Sequence, residues 1–546
     1  MQNKVSSLNR SSMWPPCILL GIVLAGGIVR FLLAYSLPFQ GNECGTMRWI
    51  CSSSQYILMH YQTWLTMNIF ILLEKMIASI FGEGFIAMRF ISIVAGTGTI
   101  LITAFLAARL LAQKSLGFVA AALVAANPYL IQHSVFARSY AAFIFFAVLL
   151  WLMFLRWRDN PDWNNSIGLA ATSLLTILFH FNGALLIVWL LVVVLLEVFR
   201  TRHDSEKLVL LWMAIKRLII PMVFFIGVAA IFYFQLFREI PETAKRYRDT
   251  GFSLFDCLEF SFSTYFGDTL KVMPWLFLVF LLAGMFRIYK DDRYKFFWMI
   301  LWIAIPISVL SVLGYSFVPW NYARYVVFIL PVLIIICAGG IEYLVTLFSK
   351  RTQGWLLMLV IFVIVLAWLP GVAKQFEHGR QNPYNKVFNY MSERRQEGDR
   401  ILGIDPFTLL LLSPYMQCKE RRAACDPLPR ENTPLLLQNT EAGRVFLVSY
   451  TTGIPAFGVE TAVFGHVKVS ILPPETQTDR YARLLKGYQQ AARYLPDEDR
   501  SHLAYFVYSS LAYMAKLRGD EKLEKRYNKI VGECKKNFRK NREGIP

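Results

Sequence analysis

The sequence predicts a polytopic all-α membrane domain, followed by an extracytoplasmic α/β domain and a helical tail, on three observations. Apolar runs of about 17 to 23 residues recur through the first two thirds of the chain, long enough as helices to cross a hydrocarbon core of roughly 30 Å. Lys and Arg gather in alternate connections between those runs, which is how membrane proteins fix their orientation. Beyond residue 372 the apolar runs stop and shorter amphipathic patterns replace them. With 56% hydrophobic residues and a mean hydropathy of +0.44, the chain is too apolar for a soluble globular protein. The formal net charge of +19 raises the question of nucleic acid. Much of that charge lies in short loops between apolar runs, where it orients helices, so no nucleic-acid partner is expected.

In order, spans are expected near 16–36, 87–110, 116–132, 138–156, 165–181, 183–199, 216–237, 272–288, 296–314, 325–347 and 355–371. No small-residue cleavage site follows the first, which therefore reads as a retained helix. One set of connections carries Lys4 and Arg10; Arg109 and Lys114; Arg156 and Arg158; Arg200, Arg202, Lys207, Lys216 and Arg217; Arg287, Lys290, Arg293 and Lys295; then Lys350 and Arg351. With eleven spans and a cytoplasmic N-terminus, all of these fall on the cytoplasmic side. The segments 37–86, 133–137, 238–271 and 315–324 then lie outside, as does everything after 372. The long loops are the outer ones, and long loops tend to carry function.

The membrane domain is expected over 1–372, the α/β domain over 373–477 and the tail over 478–546. "NKVFNYMSERRQEGDRILGIDPF" reads as an amphipathic helix, a turn and a strand, and "RVFLVSY" and "HVKVSIL" as further strands. From 478 onward two or three amphipathic helices follow. Cys17 and Cys337 fall in spans. Cys44, Cys51, Cys257, Cys418, Cys425 and Cys534 fall on the outer side. Cys44 with Cys51 and Cys418 with Cys425 share one spacing, open either to small disulfide loops or to free buried thiols.

Polar residues collect near the outer ends of spans: Glu43, Arg48, His60 and Glu83 in the first loop, then Arg89, His133, Arg138, Tyr140, His180, Arg324 and Tyr325. Charges at membrane depth are costly and have partners or a task. Arginines at a membrane surface hold a lipid-linked phosphate through charge-assisted bonds. A carboxylate deprotonates an acceptor hydroxyl or amine. Fixed cations then stabilise the charge on the leaving phosphate. Together these parts fit glycosyl transfer from a polyprenyl-phosphate sugar.

The stretches "GNECGT", "MHYQTWL", "AMRFISIVAGTGTILITAFLAARLL", "ANPYLIQHSVFARSYAAF", "FHFNG" and "ARYVVFILPVLIIICAGGIEYL" occur in that order. In order and spacing they resemble the GT-C membrane glycosyltransferases, in the bacterial branch of lipid A aminoarabinose transferases, protein O-mannosyltransferases and rhizobial lipopolysaccharide transferases. "KVFNYMSERRQEGDRIL" is similar to the soluble segment of many members, so the resemblance covers about residues 15 to 410. It implies the GT-C fold, a polyprenyl-phosphate sugar donor and inversion at the transferred sugar. The acceptor, a glycolipid, lipopolysaccharide, polysaccharide or protein, stays unnamed. The family's catalytic Asp matches Asn42, which leaves Glu43 as the base. The resemblance and the chemistry together assign donor phosphate to Arg138 and Arg324, with Arg48 and Arg89, and supporting places to Asn42, His60, His180 and Tyr140. The stretch around His60 lacks the family's two prolines, and Phe136 replaces an acid before the "AR" pair. With Asn42 in place of the family's Asp, Glu43 is the one acid left of that pair and makes a weak cage for a divalent cation, so neither metal nor cofactor is expected.

The branch implies a bacterial inner membrane, with the C-terminal domain periplasmic and membrane lipids around the spans. Two alternatives stand beside catalysis. A flippase or transporter usually shows internal repeats and midplane charges, and neither is visible. A non-catalytic lipid-carrier-binding protein fits Asn42.

Overall fold

The computed structural model describes residues 16–37, 39, 41–50, 53–59, 68–201, 206, 208–227, 253–267, 270–312, 319–348, 351–380, 383–396, 399–403, 444–449, 460–464, 467–472, 477–494 and 502–543. Helix α1 (Pro16–Ser36) is followed by α2 (Gly41–Ile50), α3 (Ser54–Met59) and α4 (Asn68–Phe81). A 3-10 turn (Ala87–Arg89) leads into α5 (Phe90–Leu110), and α6 (Lys114–Ala126), α7 (Pro128–Ser134), α8 (Tyr140–Asp159), α9 (Trp163–Phe179) and α10 (Gly183–Thr201) follow. Next come α11 (Leu208–Gly227), α12 (Leu254–Phe266), α13 (Met273–Asp291), α14 (Arg293–Val312), α15 (Pro319–Tyr325), α16 (Leu330–Val345), α17 (Gln353–Arg380) and α18 (Pro383–Arg394). Four strands, β1 (Arg400–Gly403), β2 (Val445–Ser449), β3 (Thr461–Phe464) and β4 (Val467–Leu472), precede α19 (Gln477–Tyr494), α20 (His502–Leu517) and α21 (Glu521–Glu543).

Among the described residues nine helices are long and apolar enough to cross a membrane, and the bent pair α6–α7 brings the number to ten. All eleven expected segments carry helix, but two are not simple spans. The segment 116–132 breaks by 66° between α6 and α7, and 165–181 forms α9, a helix of 17 residues. The segment 216–237 is helical from Leu208 to Gly227, and its remainder lies outside the described residues.

The chain divides into two compact units: 1–36, 58–248 and 252–377 in the first; 37–57, 249–251 and 378–546 in the second. In the first unit, exposed apolar side chains run the length of the outer helices: Leu20, Leu24, Ile28 and Phe31 on α1, and Trp355, Leu359, Phe362 and Leu366 on α17. Water would penalise such surfaces, whereas hydrocarbon does not, so these are the lipid-facing sides of a multi-pass integral membrane protein. Inside, Trp151, Trp189, Trp298 and Trp302 are fully buried and fasten α8, α10 and α14 together. The Trp189 indole N–H donates to the Trp298 carbonyl at 3.0 Å. Helices α13 and α16 touch backbone to backbone. A Cβ on Gly340 would stand 1.8 Å from the Phe280 carbonyl oxygen, and one on Gly284 2.0 Å from that of Ile336. Small residues permit this approach, which lipid-embedded helices use in place of a hydrophobic driving force.

In the second unit the sheet order is β1-β2-β4-β3, with β1 parallel to β2 and the other pairs antiparallel. Leu447 and Leu472 from the sheet share a core with Leu484, Tyr488, Val507, Leu511 and Met514 of α19 and α20. Cys257 and Cys337 are buried free thiols, Cys17 is an exposed one, and Cys534 is buried. Both local pairings, 44 with 51 and 418 with 425, fall outside the described side chains.

Candidate functional site

The break between α6 and α7 organises one end of the first unit. Pro128 has no N–H, so the Val124 carbonyl four residues earlier loses its helical partner. Arg30 of α1 supplies one. Its guanidinium donates to the carbonyls of Val124 and Ala125, each at 3.2 Å, and to its own helix at Gly26, at 3.0 Å. Arg30 is fully buried, and the last carbonyls of α6 carry the negative end of that helix's dipole. Asn127 caps the other side of the break. Its side-chain oxygen accepts from the Leu130 N–H at 3.0 Å, and its amide donates to the Tyr265 carbonyl at 2.9 Å. The Tyr265 hydroxyl then donates to the Ala323 carbonyl at 2.7 Å, which ties α7, α12 and α15 into one lattice.

Five rings follow one another through this lattice. Tyr129 and His133 lie 4.6 Å apart between centroids, His133 and Tyr140 5.2 Å, Tyr140 and His180 5.5 Å, and His180 and Tyr325 6.0 Å. His180 stands at the C-terminus of α9, stacked on Phe143 at 4.8 Å. Its Nδ1 accepts the Asn182 N–H at 3.2 Å, which leaves the proton of the neutral ring on Nε2. The Asn182 amide donates to the Tyr325 carbonyl at 2.7 Å, so α10 and α15 are fixed to the same ring.

Two arginines border the rings. Arg138 lies in the turn between α7 and α8, and its carbonyl accepts from Ser92 Oγ at 3.1 Å. Its charge acts on His180. The charge of Arg324, on α15, acts on His133. Arg324 donates to the Trp320 carbonyl at 3.2 Å and to the Asn321 side chain, and among the described residues it has no carboxylate partner. The opposite end of the bundle differs. There Arg109 and Arg158 pair with Asp159, Arg200 with Glu197, and Arg287 with Glu342 and Asp291.

Of the residues singled out in the sequence, Arg138, Arg324, Tyr140 and His180 come together here. Arg89 belongs to the same end and is 1% exposed. It donates to the Ala34 carbonyl at 2.7 Å and so ties the 3-10 turn to the end of α1. Glu43 lies in the second unit, on α2, with its side chain fully buried. Asn42 and Arg48 are on that helix, their side chains outside the described set, and His60 is outside the described residues. Sequence reading passed over Arg30, a lone cation inside an apolar run, and Glu74, a fully buried carboxylate on α4. Beside Arg89, an apolar cavity of about 520 Å³ opens among Tyr35, Ile77, Phe81, Phe85 and Phe90.

No family model and no curated protein matches the chain. Solved structures share its fold. ArnT from Cupriavidus metallidurans in the apo state superposes with a TM-score of 0.57 at 12% identity, over 84% of this chain and 98% of that one. The same protein bound to undecaprenyl phosphate gives 0.54 at 13%, over 84% and 97%. The archaeal oligosaccharyltransferase AglB from Archaeoglobus fulgidus, in complex with an inhibitory peptide and a dolichol-phosphate, gives 0.46 at 12%, over 88% and 72%. At this identity the ArnT likeness establishes the fold alone, a multi-pass helical membrane bundle.

Proposed function

We propose that this chain is a membrane glycosyltransferase that moves a sugar from a polyprenyl-phosphate donor to an acceptor at the outer face of a bacterial inner membrane. One observation carries the reading. At the broken-helix end Arg324 has no carboxylate partner among the described residues and Arg138 borders a buried ring cluster, whereas at the opposite end Arg109, Arg158, Arg200 and Arg287 are each matched with an acid. A cation without an acid, such as Arg324 beside a buried aromatic cluster, suits an incoming anion, and the structural neighbour ArnT was solved with undecaprenyl phosphate.

In this mechanism Arg138 and Arg324 hold the donor phosphate, and Arg48 is assigned to the same phosphate. Arg89 keeps the end of α1 in place. The prenyl chain lies among the helices, where the cavity beside Phe81 and Phe90 offers it an apolar wall. Glu43 takes the proton of the acceptor hydroxyl or amine. The freed lone pair attacks the anomeric carbon on the face opposite the phosphate, and the bond from that carbon to the phosphate oxygen breaks. Its electron pair leaves on the phosphate, where the arginines stabilise it. Direct displacement of this kind inverts the anomeric centre. His180, Tyr140, Asn42 and His60 support the donor. Sidedness rests on the basic connections, which the positive-inside rule assigns to the cytoplasm. A second reading, a protein that binds the lipid carrier without turning it over, rests on Asn42, which stands where the family's Asp is expected.

The deciding experiment compares membranes carrying the wild type and Glu43→Gln, supplied with donors extracted from the native host. Turnover in the wild type that disappears in the variant, with donor binding retained, supports Glu43 as base. Equal turnover in both rejects it. Tight binding without turnover in either favours the second reading.

A further inference from the structure

His133 is 2% exposed, and among the described residues neither of its ring nitrogens has a hydrogen-bond partner. Its neighbour in the ring series, His180, has Nδ1 occupied by the Asn182 N–H. Around His133 stand Tyr129 and Tyr140, both edge to face, and Phe136 at 6.2 Å. A buried polar ring whose nitrogens meet no protein group is rare, and each instance calls for a partner from elsewhere. A purely packing residue at this place would be Phe or Leu.

Two features narrow the partner. His133 sits in the last turn of α7, which the Asn127 cap and the Pro128 break hold at the end of the bundle bearing the arginines. The positive charge acting on it is that of Arg324, whose own bonds go only to Trp320 and Asn321 among the described residues. A cation would be repelled here. An anionic oxygen satisfies the guanidinium and an imidazole N–H together.

We propose that His133 is a ligand of the donor phosphate, donating a hydrogen bond to one of its oxygens alongside Arg324. The assignment rests on the reading of the chain as a polyprenyl-phosphate sugar transferase and adds to it a contact from His133, which that reading leaves without a role. The same chemistry would accept the phosphate of an ordinary anionic phospholipid, so the test separates the two.

The test uses the full chain in nanodiscs, wild type and His133→Phe, with undecaprenyl phosphate as probe and phosphatidylglycerol as the competing phosphate. His133→Phe keeps a ring among Tyr129, Phe136 and Tyr140 and removes both nitrogens. The expected result is opposite movement of two readouts. The unliganded variant melts at or above the wild-type temperature, because a buried unsatisfied ring is gone. Its affinity for undecaprenyl phosphate falls about tenfold or more, the ratio a bond to a charged group is worth. A merely structural histidine gives the reverse, a lower melting temperature and unchanged affinity, and that result overturns the assignment. If His133→Phe does not fold, nitrogen-15 NMR of the histidine rings in the wild type replaces it. A His133 ring signal that shifts with undecaprenyl phosphate supports the proposal, and one that stays overturns it. Equal displacement by phosphatidylglycerol reassigns the phosphate to bulk lipid and overturns the donor assignment. Failure of the wild type to bind undecaprenyl phosphate defeats the transferase reading itself and this inference with it, whereas binding that His133→Phe leaves unchanged defeats only the inference.

Discussion

Replacing Arg30 by methionine tests how the broken helix is held. In the wild type the guanidinium makes three bonds to carbonyls, at Gly26, Val124 and Ala125. The Gly26 carbonyl also belongs to the ladder of α1, so it loses little. The Val124 and Ala125 carbonyls end α6, and Pro128 denies the first of them any helical donor. Two buried carbonyls without donors cost about 2 to 6 kcal/mol together, at roughly 1 to 3 each. Part of that returns, because a guanidinium held by carbonyls and no acid is itself costly to bury, and apolar replacements of buried charges recover about 1 kcal/mol or more. The net expectation is a loss of about 2 to 4 kcal/mol. The assay is SDS-driven unfolding in mixed micelles, followed through the fluorescence of the buried tryptophans of α8, α10 and α14. The decisive arm is a double variant. Pro128→Ala gives the Val124 carbonyl a backbone N–H, so it should recover about 1 kcal/mol or more in the Arg30→Met background and nothing in the wild type. If Arg30→Met unfolds within about 0.5 kcal/mol of wild type, or if the two substitutions simply add, Arg30 is not the partner of the break and the reasoning fails.

Two further expectations follow from particular contacts. Arg324→Gln should weaken undecaprenyl phosphate binding about tenfold or more, the worth of one charged hydrogen bond, while Arg109→Gln, at the acid-paired end, should leave it unchanged; equal losses from both would remove the contrast on which the site rests. In the second unit Asp399 accepts from the Arg444 guanidinium at 2.7 Å and from the backbone N–H groups of Gln396 and Arg444 at 2.8 and 2.9 Å. Burial pushes its carboxyl up, but the Arg444 pairing and those N–H bonds outweigh it and hold it below the ordinary value of 3.8. A carboxylate depressed in the folded state adds stability above its unfolded pKa and loses it as pH falls through the lower folded value. Protection of the β1–β2 ladder against hydrogen exchange, relative to the intrinsic rate at each pH, should therefore fall below about pH 4 in the wild type, and Asp399→Asn should lower it already at pH 7 and flatten its acid dependence. A variant ladder as slow as wild type at pH 7 would contradict this.

The spans were legible because hydrophobic length at membrane scale is the strongest signal a sequence carries. What breaks a span was not. A hydropathy average over the run 116–132 stays high through Pro128, although a proline with an asparagine before it ends one helix and starts another. Arg30 was hidden the same way, one charge diluted among twenty apolar neighbours. Glu74 was hidden by its surroundings: "NIFILLEKMIASIF" is apolar enough to be packed, yet it lies in a segment read as an outer loop, so its buried carboxylate drew no attention. In the candidate site, Arg138, His180 and Arg324 stand out in the sequence because each sits at a span end, where a polar or charged group already looks out of place. Asn182, Tyr265 and Asn127 hold the site together through backbone carbonyls far apart in sequence, and no local pattern announces such partners.

The arginines of this bundle separate by what they bind, and the separation carries functional meaning. Arg109, Arg158, Arg200 and Arg287 pair with acids, which neutralises them and fastens helix ends. Arg30 is fully buried and binds carbonyls at the end of α6, where the helix dipole supplies the negative side, and Arg89, also buried, donates to a carbonyl near the end of α1. Among the described residues Arg324 pairs with no acid and fastens no other helix. It leans on a carbonyl and an amide of its own short helix, bonds that an incoming anion can outcompete, and its charge acts on a histidine whose ring nitrogens have no hydrogen-bond partner among the described residues. Irregular backbone at membrane depth is tolerated only where it is buried in protein or lines a cavity. The α6–α7 break meets that condition through Arg30, and the turn it creates carries His133 and Arg138 to the same ring cluster. The residue that makes the break tolerable and the residues that use it are therefore different arginines, and substituting the first should damage folding before it damages recognition, whereas substituting Arg324 should do the reverse.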